Sequence, residues 1–478
     1  MRRLLFFVAS AASLLILSAA PALASAATFT VHPNGHNDTA DIQRAFTRAV
    51  AAGPASTVHL TAGHFYTNRI LVRDFHGYFT GAGEGKTVID CLRSLDPSLP
   101  GVIVKAEPDI LPFPFLVAFD GGHINVADMS FDITAASPVD AASNGGSDFL
   151  ATIVFVTGNA SSAFHRVAFT AGAGSDDGYN ADQGLIIVGY APLDQNGNWV
   201  SLTRISGVEN VCGCSFVGHD GLVVQGLAHG RLMVSRNVFD DEVLSCASLD
   251  STASRVTICH NQMSAAAWDD IVLYQGWEAG GVNAALLPPL PAPRYFVSDN
   301  HLLATGAAGG VEVRDDSSLF KVPQRLAAVI ADNTIALDNG GWDAGIDGVY
   351  AKGIRVVHNR ISGTGFAGIQ LGFAAALWSM PSAPDSCWRI IGNDVSGVKL
   401  ATQYADASGA PIWGAPIWLG PDASHCLVVG GKAPTKVLDQ GTGDTLIDVT
   451  PVSDPPTAAA KPTTAPAKMG ALKEMKRL

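Results

Sequence analysis

Charge is scarce in this chain. Asp, Glu, Lys and Arg together make up 15% of 478 residues, against about a quarter in an ordinary globular domain, which excludes a charge-laced coiled coil and a solvated disordered polymer. Past Leu17 no run of 18 apolar residues follows, so no later segment reads as a membrane-spanning helix. The seven cysteines include no C-x-x-C pair and no histidine cluster to complete a zinc ribbon. Basic residues are outnumbered 30 to 43, for a net charge of −13, which argues against nucleic acid or an anionic membrane as partner. What is plentiful is glycine, at 50 residues, with many Val, Ile and Ala. That is the composition of buried strands joined by many turns.

One phrase recurs. It reads VSRNVF around Asn237, TICHNQM around Asn261, FVSDNHL around Asn300, VIADNTI around Asn333, RVVHNRI around Asn359 and RIIGNDV around Asn393. The asparagines lie 24, 39, 33, 26 and 34 residues apart, too irregular for one helix face but natural for coils joined by loops of variable length. An apolar run, an Asn and a second short apolar run predict two strands meeting at a sharp bend. Asn tolerates left-handed backbone there, and its amide can bond the same side chain one coil on. Stacked units of this kind form a solenoid with about 4.8 Å between rungs and a continuous core. The expected fold is all-β, a right-handed parallel β-helix solenoid with an N-terminal capping helix. Met129, Val167 and Cys214 fill the Asn slot upstream, and Gly431 closes the series.

Four regions follow. Residues 1–27 carry Arg2 and Arg3, an apolar stretch from Leu4 to Leu17 and small residues suited to signal peptidase, which predicts a secreted protein, extracellular or periplasmic. Losing that leader takes the net charge from −13 to −15. Residues 28–54 hold a strand and the helix IQRAFTRAVAAG, with Asp38 or Thr39 to accept from its free amides and Ile42, Ala45, Phe46 and Ala49 along one face to plug the first coil. Residues 55–448 form the β-helix, with excursions at 171–182, 277–294 and 373–386. Residues 449–478, rich in Pro, Ala and Thr and ending in Lys473, Lys476 and Arg477, cannot build a core and are expected to be a disordered linker and tail. Export permits disulfides, and Cys387 and Cys426 hold nearly the same place in adjacent coils. Cys212 and Cys214 read as small core residues.

The stretch NGHNDTADIQRAFTRAVAAGPASTVHLTAGHFYTNRILV, continuing to FTGAGEGKTVI, resembles the opening of the pectate-lyase-like β-helix superfamily. That opening has a DDT-type helix start, an IQ-A helix, a V-x-L-P-A-G-x-Y strand pair and a G-x-G-x-x-x-T-x-I strand. Here Asn37-Asp38-Thr39 replaces the double Asp, and Thr61 stands where Pro is common. The resemblance covers residues 30–90 well and reaches about 430 through the Asn repeat. It implies polysaccharide lyases, glycoside hydrolases, epimerases, tailspikes or proteins without chemistry. A tailspike fits poorly with a signal peptide. The N-x-D, DD, GHG and RIK set of polygalacturonases is absent, with Gly218-His219-Asp220-Gly221 only a faint echo, and so is the DPHD element of alginate epimerases. No catalytic residue transfers by position.

A site therefore has to be read from alternation. After each Asn bend a further strand follows: GLVVQG, CASLDS, DIVLYQG, GVEVRDD, GVYAKG, GIQLG and PIWLG. With Leu222, Leu249, Leu273, Val313, Val349, Ile369 and Ile417 pointing inward, the outward stripe holds Gln225, Ser248, Asp250, Tyr274, Glu312, Arg314, Tyr350, Lys352, Gln370 and Trp418. Aromatic rings and hydrogen-bonding groups in one line suit a sugar polymer, with Gln225, Tyr274, Trp277, Tyr350, Gln370 and Trp418 as binding residues. Any exposed sheet face is also polar, so the stripe alone does not decide. Asp250 and Glu312, two coils apart, could act as general acid and base across a glycosidic bond. Asp269, Asp270 and Asp315 lie at the mouths of neighbouring strands. Elimination would instead need Arg314 and Lys352 against a uronate, with calcium on Asp269, Asp270, Asp315 and Asp316, an arrangement the resemblance implies. His219 and Trp268 flank these groups.

The sequence thus predicts a secreted carbohydrate-active enzyme, a polysaccharide lyase or glycoside hydrolase, with catalytic candidates Asp250, Asp269, Asp270, Glu312, Arg314, Asp315 and Lys352. The alternative is a secreted β-helix that binds or scaffolds envelope glycans without turnover. The sequence does not decide between monomer and trimer.

Overall fold

The computed structural model describes residues 26–96, 115–135, 151–156, 161–171, 183–188 and, apart from short intervening stretches, 208–451. The leader, the tail beyond 451, His219, Trp268, Trp277 and most of the three excursions lie outside the described residues.

The chain is a right-handed parallel β-helix with three strands to a coil. In one coil Ala253–Cys259 lies on the first face, the chain bends at His260 and Asn261, Gln262–Ala265 lies on the second face, and Ile271–Gln275 on the third. The next coil repeats this in parallel register, with Val256 beside Tyr295, Met263 beside Leu302 and Leu273 beside Val313. Among the described residues the third face is a ladder of thirteen strands from Ile70–Arg73 to Thr450–Pro451. The first two faces join into one sheet because His123–Asp132 and Ser161–Thr170 run through both.

The tube is filled by alternate residues of every strand. Val256, Ile258, Met263, Ile271 and Leu273 are fully buried together, and rung on rung they form one apolar column. Phe131, Phe169, Phe216 and Phe239 stack with ring centroids 5.7, 4.7 and 4.5 Å apart, so identical side chains on successive rungs pack face to face. The end is closed by the helix Thr39–Ala52, whose buried residues are Ile42, Ala45, Phe46 and Ala49. Phe46 meets Phe75, Phe79 and Phe119 of the first coils. Asp38 and Thr39 do not cap this helix. The Asp38 carboxylate accepts from the amides of Asn34 and Tyr66, and the Thr39 hydroxyl from that of Asn68, so they tie the flanking chain to the first coil.

The asparagines form the expected ladder, fully buried at 0–2% exposure. The Asn261 amide oxygen accepts from both the backbone N–H and the side-chain N–H of Asn237, while its own Nδ2 donates to the Val234 carbonyl and to Asn300 Oδ1. The pattern repeats through Asn333 and Asn359 to Asn393. Cys214 begins it by donating its N–H to Asn237, and Gly431 sits on Asn393 at the other end. One expectation is corrected: the left-handed residue is the one before the asparagine. Arg236, His260, Asp299, Asp332 and His358 all have φ of 56–57°. The asparagine bonds across the bend, and its predecessor makes the bend.

All seven cysteines are free thiols. Cys387 is in line with His425 rather than Cys426, since Arg389 pairs with Leu427, so Cys387 faces solvent and Cys426 the core. Cys214 is buried, and Cys212 sits on the outer side of its strand, half-buried.

Candidate functional site

The third face carries the candidate site. Its inward residues are Leu222, Ala247, Ile271, Val311, Ile346, Ile369 and Ile417, one column of the core. The neighbouring positions therefore point out of the tube, and in register they read Val272, Glu312, Asp347, Gln370 and Trp418. Two residues further along the strands Tyr274, Arg314 and Val349 form a second outward row.

Glu312 and Arg314 thus stand outside the tube, as expected, but the coil after them is one residue out of the predicted phase. Val349 points outward and Asp347 takes the place beside Glu312. The cause is Gly348, an inward position without a side chain. A Cβ there would lie 2.5 Å from the Trp388 ring, which fills the core at that level. With no apolar residue to mark the inward position, Val349 looked like the core residue. A signal was present: Gly310-Val311-Glu312, Gly345-Ile346-Asp347 and Gly368-Ile369-Gln370 repeat a glycine, a branched apolar residue and an acid or amide.

Arg314 is the hub. Its Nε donates to both carboxylate oxygens of Asp316 at 3.0 Å and its NH2 group lies 2.9 Å from Asp316 Oδ2. Its NH1 group is 4.0 Å from Glu312 Oε1, and its guanidinium sits 5.6 Å from the Tyr274 ring centre. The Tyr274 hydroxyl donates to Asp316 at 2.8 Å. Burial and the nearby Asp316 charge push the Tyr350 hydroxyl up to about 12, so it stays protonated. Exposure is only 2% at Glu312, 3% at Asp347 and 1% at Gln370, whose side-chain oxygen has no hydrogen-bond partner among the described residues.

The remaining candidates are placed differently. Asp270 precedes its strand at a corner of the tube, wholly buried beside the Cys246 thiol, with desolvation pushing its carboxyl well above the usual carboxylate range. Asp270 therefore does not share a surface with Glu312. Asp269 and Asp315 are buried at the two ends of their strands. Asp250 is in backbone register with Tyr274 and Arg314, not with Glu312, and its side chain lies outside the described residues. Lys352 comes after the left-handed bend at Tyr350 (φ 61°), is exposed and bridges to Ser386, so Arg314 and Lys352 do not form a basic pair. Tyr350 and Trp418 are not an open sugar platform either. They are 1% exposed, packed with Val349, Phe366, Phe373 and Leu438 in an apolar cluster outside the tube, with Trp418 edge-on to Phe366 at 5.4 Å. Gln225 falls in the row of Asp250, and its side chain lies outside the described residues. Among the described residues no three His, Cys, Asp or Glu side chains converge on a metal-sized site.

One further acid escaped the sequence reading. Asp385, fully buried, accepts from the backbone N–H groups of Ala351 and Gly372 at 2.7 and 2.8 Å, and desolvation raises its carboxyl to about 7. It pins the bend that follows Tyr350.

No protein-family profile and no characterised sequence matches the chain. Solved structures similar to it are parallel β-helix proteins at low identity. The A-module of a mannuronan C-5 epimerase from Azotobacter vinelandii is 13% identical over 88% of this chain and 97% of its own, with a TM-score of 0.38. A polygalacturonase from Erwinia carotovora is 12% identical over 90% and 95%, with a TM-score of 0.36. A surface adhesin of Streptococcus pneumoniae is 11% identical over 89% and 91%, with a TM-score of 0.45.

Proposed function

We propose that this protein is an exported glycoside hydrolase acting on a polysaccharide, with Glu312 and Asp347 as its working carboxyl pair. The observation that carries this reading is a cluster of Glu312, Arg314, Asp316, Asp347 and Gln370, buried on the outer side of a sheet where Val272, Trp418 and Leu438 occupy equivalent places. Burying like-charged carboxylates costs several kcal/mol per ion by order of magnitude, and a folding requirement would be met by apolar residues.

Adjacent rungs hold outward side chains about 4.8 Å apart, near the ~5–5.5 Å that separates the two carboxyls of a retaining glycosidase. In that chemistry one carboxyl gives its proton to the leaving glycosidic oxygen while the other bonds to the anomeric carbon, and water then releases the sugar with the proton returned. Arg314, neutralised by Asp316, orients Glu312. Elimination is less well supported, because the guanidinium already has its carboxylate and Lys352 lies elsewhere. Calcium would have to be drawn from Asp269, Asp270, Asp315 and Asp316, no three of which form a metal-sized group among the described residues.

The burial of the row favours a second reading, a β-helix that binds envelope glycans without turnover. Glu312 is 2% exposed, so a sugar reaches it only after its surroundings rearrange. Incubation with a panel of polysaccharides separates the two. New reducing ends without ultraviolet absorbance, lost in Glu312→Gln and Asp347→Asn, support hydrolysis. Absorbance of an unsaturated uronate means elimination, and binding without products across the panel means a scaffold.

A further inference from the structure

We infer that the first face of the tube is a binding strip for an acidic polysaccharide, separate from the carboxyl cluster on the third face. Arg231, Arg255 and Arg294 stand on three consecutive rungs in one column, each six residues before its ladder asparagine. Beyond the Ala327–Ala331 rung, which carries no arginine, Arg355 and Arg389 continue the strip on two adjacent rungs, one column over, each four residues before its asparagine. All five are exposed, and none has an ion-pair partner among the described residues.

The strip is basic throughout. In the first-face strands from Val208–Cys212 to Arg389–Ile391 the single carboxylate is Glu209, which points into the core and bonds Ser162. The nearest acid on the Arg294 rung is Asp299 at the bend, about 16 Å along the strand. A chain with net charge −13 thus keeps one face free of acids over six rungs, about 24 Å. Like charges on neighbouring strands repel, so this arrangement does not serve folding.

The occupant follows from spacing and from the column beside the arginines. One positive charge on each of five of the six rungs, all but the Ala327–Ala331 rung, suits a polymer with one carboxylate per pyranose ring lying along the tube axis. On the same rungs as Arg231 and Arg294 stand Met233 and Phe296, 46% and 44% exposed. An exposed ring next to guanidinium groups offers a flat surface to a sugar and hydrogen-bonding forks to its carboxylate. Duplex DNA, with a charge about every 1.7 Å, fits neither the spacing nor the acidic remainder of the protein.

The test is calorimetric binding of a galacturonate hexamer to the full chain, with its carboxyl-reduced neutral form and a single-stranded oligonucleotide as comparisons. The acidic hexamer should bind in a salt-sensitive way, the neutral form should not, and the triple variant Arg231→Gln, Arg255→Gln, Arg294→Gln should lose about tenfold or more in affinity. The double variant Arg355→Gln, Arg389→Gln should weaken the hexamer more than the dimer of the same sugar. Binding should persist in Glu312→Gln, so its fate is independent of turnover. Unchanged affinity in the triple variant with native circular dichroism, equal binding of the neutral hexamer, or equal binding of the oligonucleotide would overturn the inference.

Discussion

Two stacks of polar side chains run along this tube, and they differ in what they cost. In the asparagine ladder each amide both donates and accepts, so Asn237 to Asn393 is a closed set in which every buried group has a partner. In the row Glu312, Asp347, Gln370 two carboxylates stand side by side next to an amide, and one guanidinium serves both Glu312 and Asp316. The first stack stabilises the fold because repetition satisfies it. Carboxylates cannot satisfy one another by repetition, so such a row does not stabilise the fold in the way the ladder does.

Substitutions that separate rate from stability test the contrast most sharply. Glu312→Gln should lower glycan turnover by about 10²–10⁴-fold while leaving the unfolding midpoint unchanged or higher. The opposite holds at Asn333: its replacement by Ala strands the amide donors of Asn300 and the Val297 carbonyl and takes one of two donors from the Asn359 oxygen, and should cost about 3–4 kcal/mol in urea unfolding. Arg314→Met should cost about 3 kcal/mol by leaving Asp316 and Glu312 buried without their cation, and Asp316→Asn in the same chain should recover part of it.

The core acid Glu209 offers a smaller effect. Desolvation raises its carboxyl from 4.5 to about 8 against the bonds from Ser162. A folded-state value above the unfolded one means stability that is full below about pH 4.5 and declines as pH rises through 8. Unfolding midpoints at pH 5 and pH 9 should therefore differ less in Glu209→Gln than in the parent. Cys387→Ser, at an exposed free thiol, should stay within about 0.5 kcal/mol of the parent.

The ladder was legible in the sequence because each coil states it with the same residue and the same flanking strands. The N-terminal helix was legible for a similar reason, its apolar face being set by Ile42, Ala45, Phe46 and Ala49. The site was half legible. Alternation put Glu312, Arg314, Gln370 and Trp418 on the outer side correctly, then slipped at Gly348, where the core is completed by Trp388 from the following coil and not by the strand itself. Alternation also reports direction without accessibility, so Trp418 and Tyr350 read as a platform and turned out to be packed in apolar surroundings. Asp270 misled because a residue at a corner obeys neither face.

The asparagine ladder has one further consequence. Each member hands the same donors to the same acceptor, so the chain between any two of them is a removable module. Excising residues 334–359 would leave Asn333 in the position Asn359 now holds, facing Asn393 with an unaltered set of groups. This coil also carries Asp347 and the Gly348 space that the Trp388 ring fills, but duplication or loss of a coil elsewhere in the tube is then close to silent for the ladder itself. What it would alter is reach, the length of polymer the cylinder can grip.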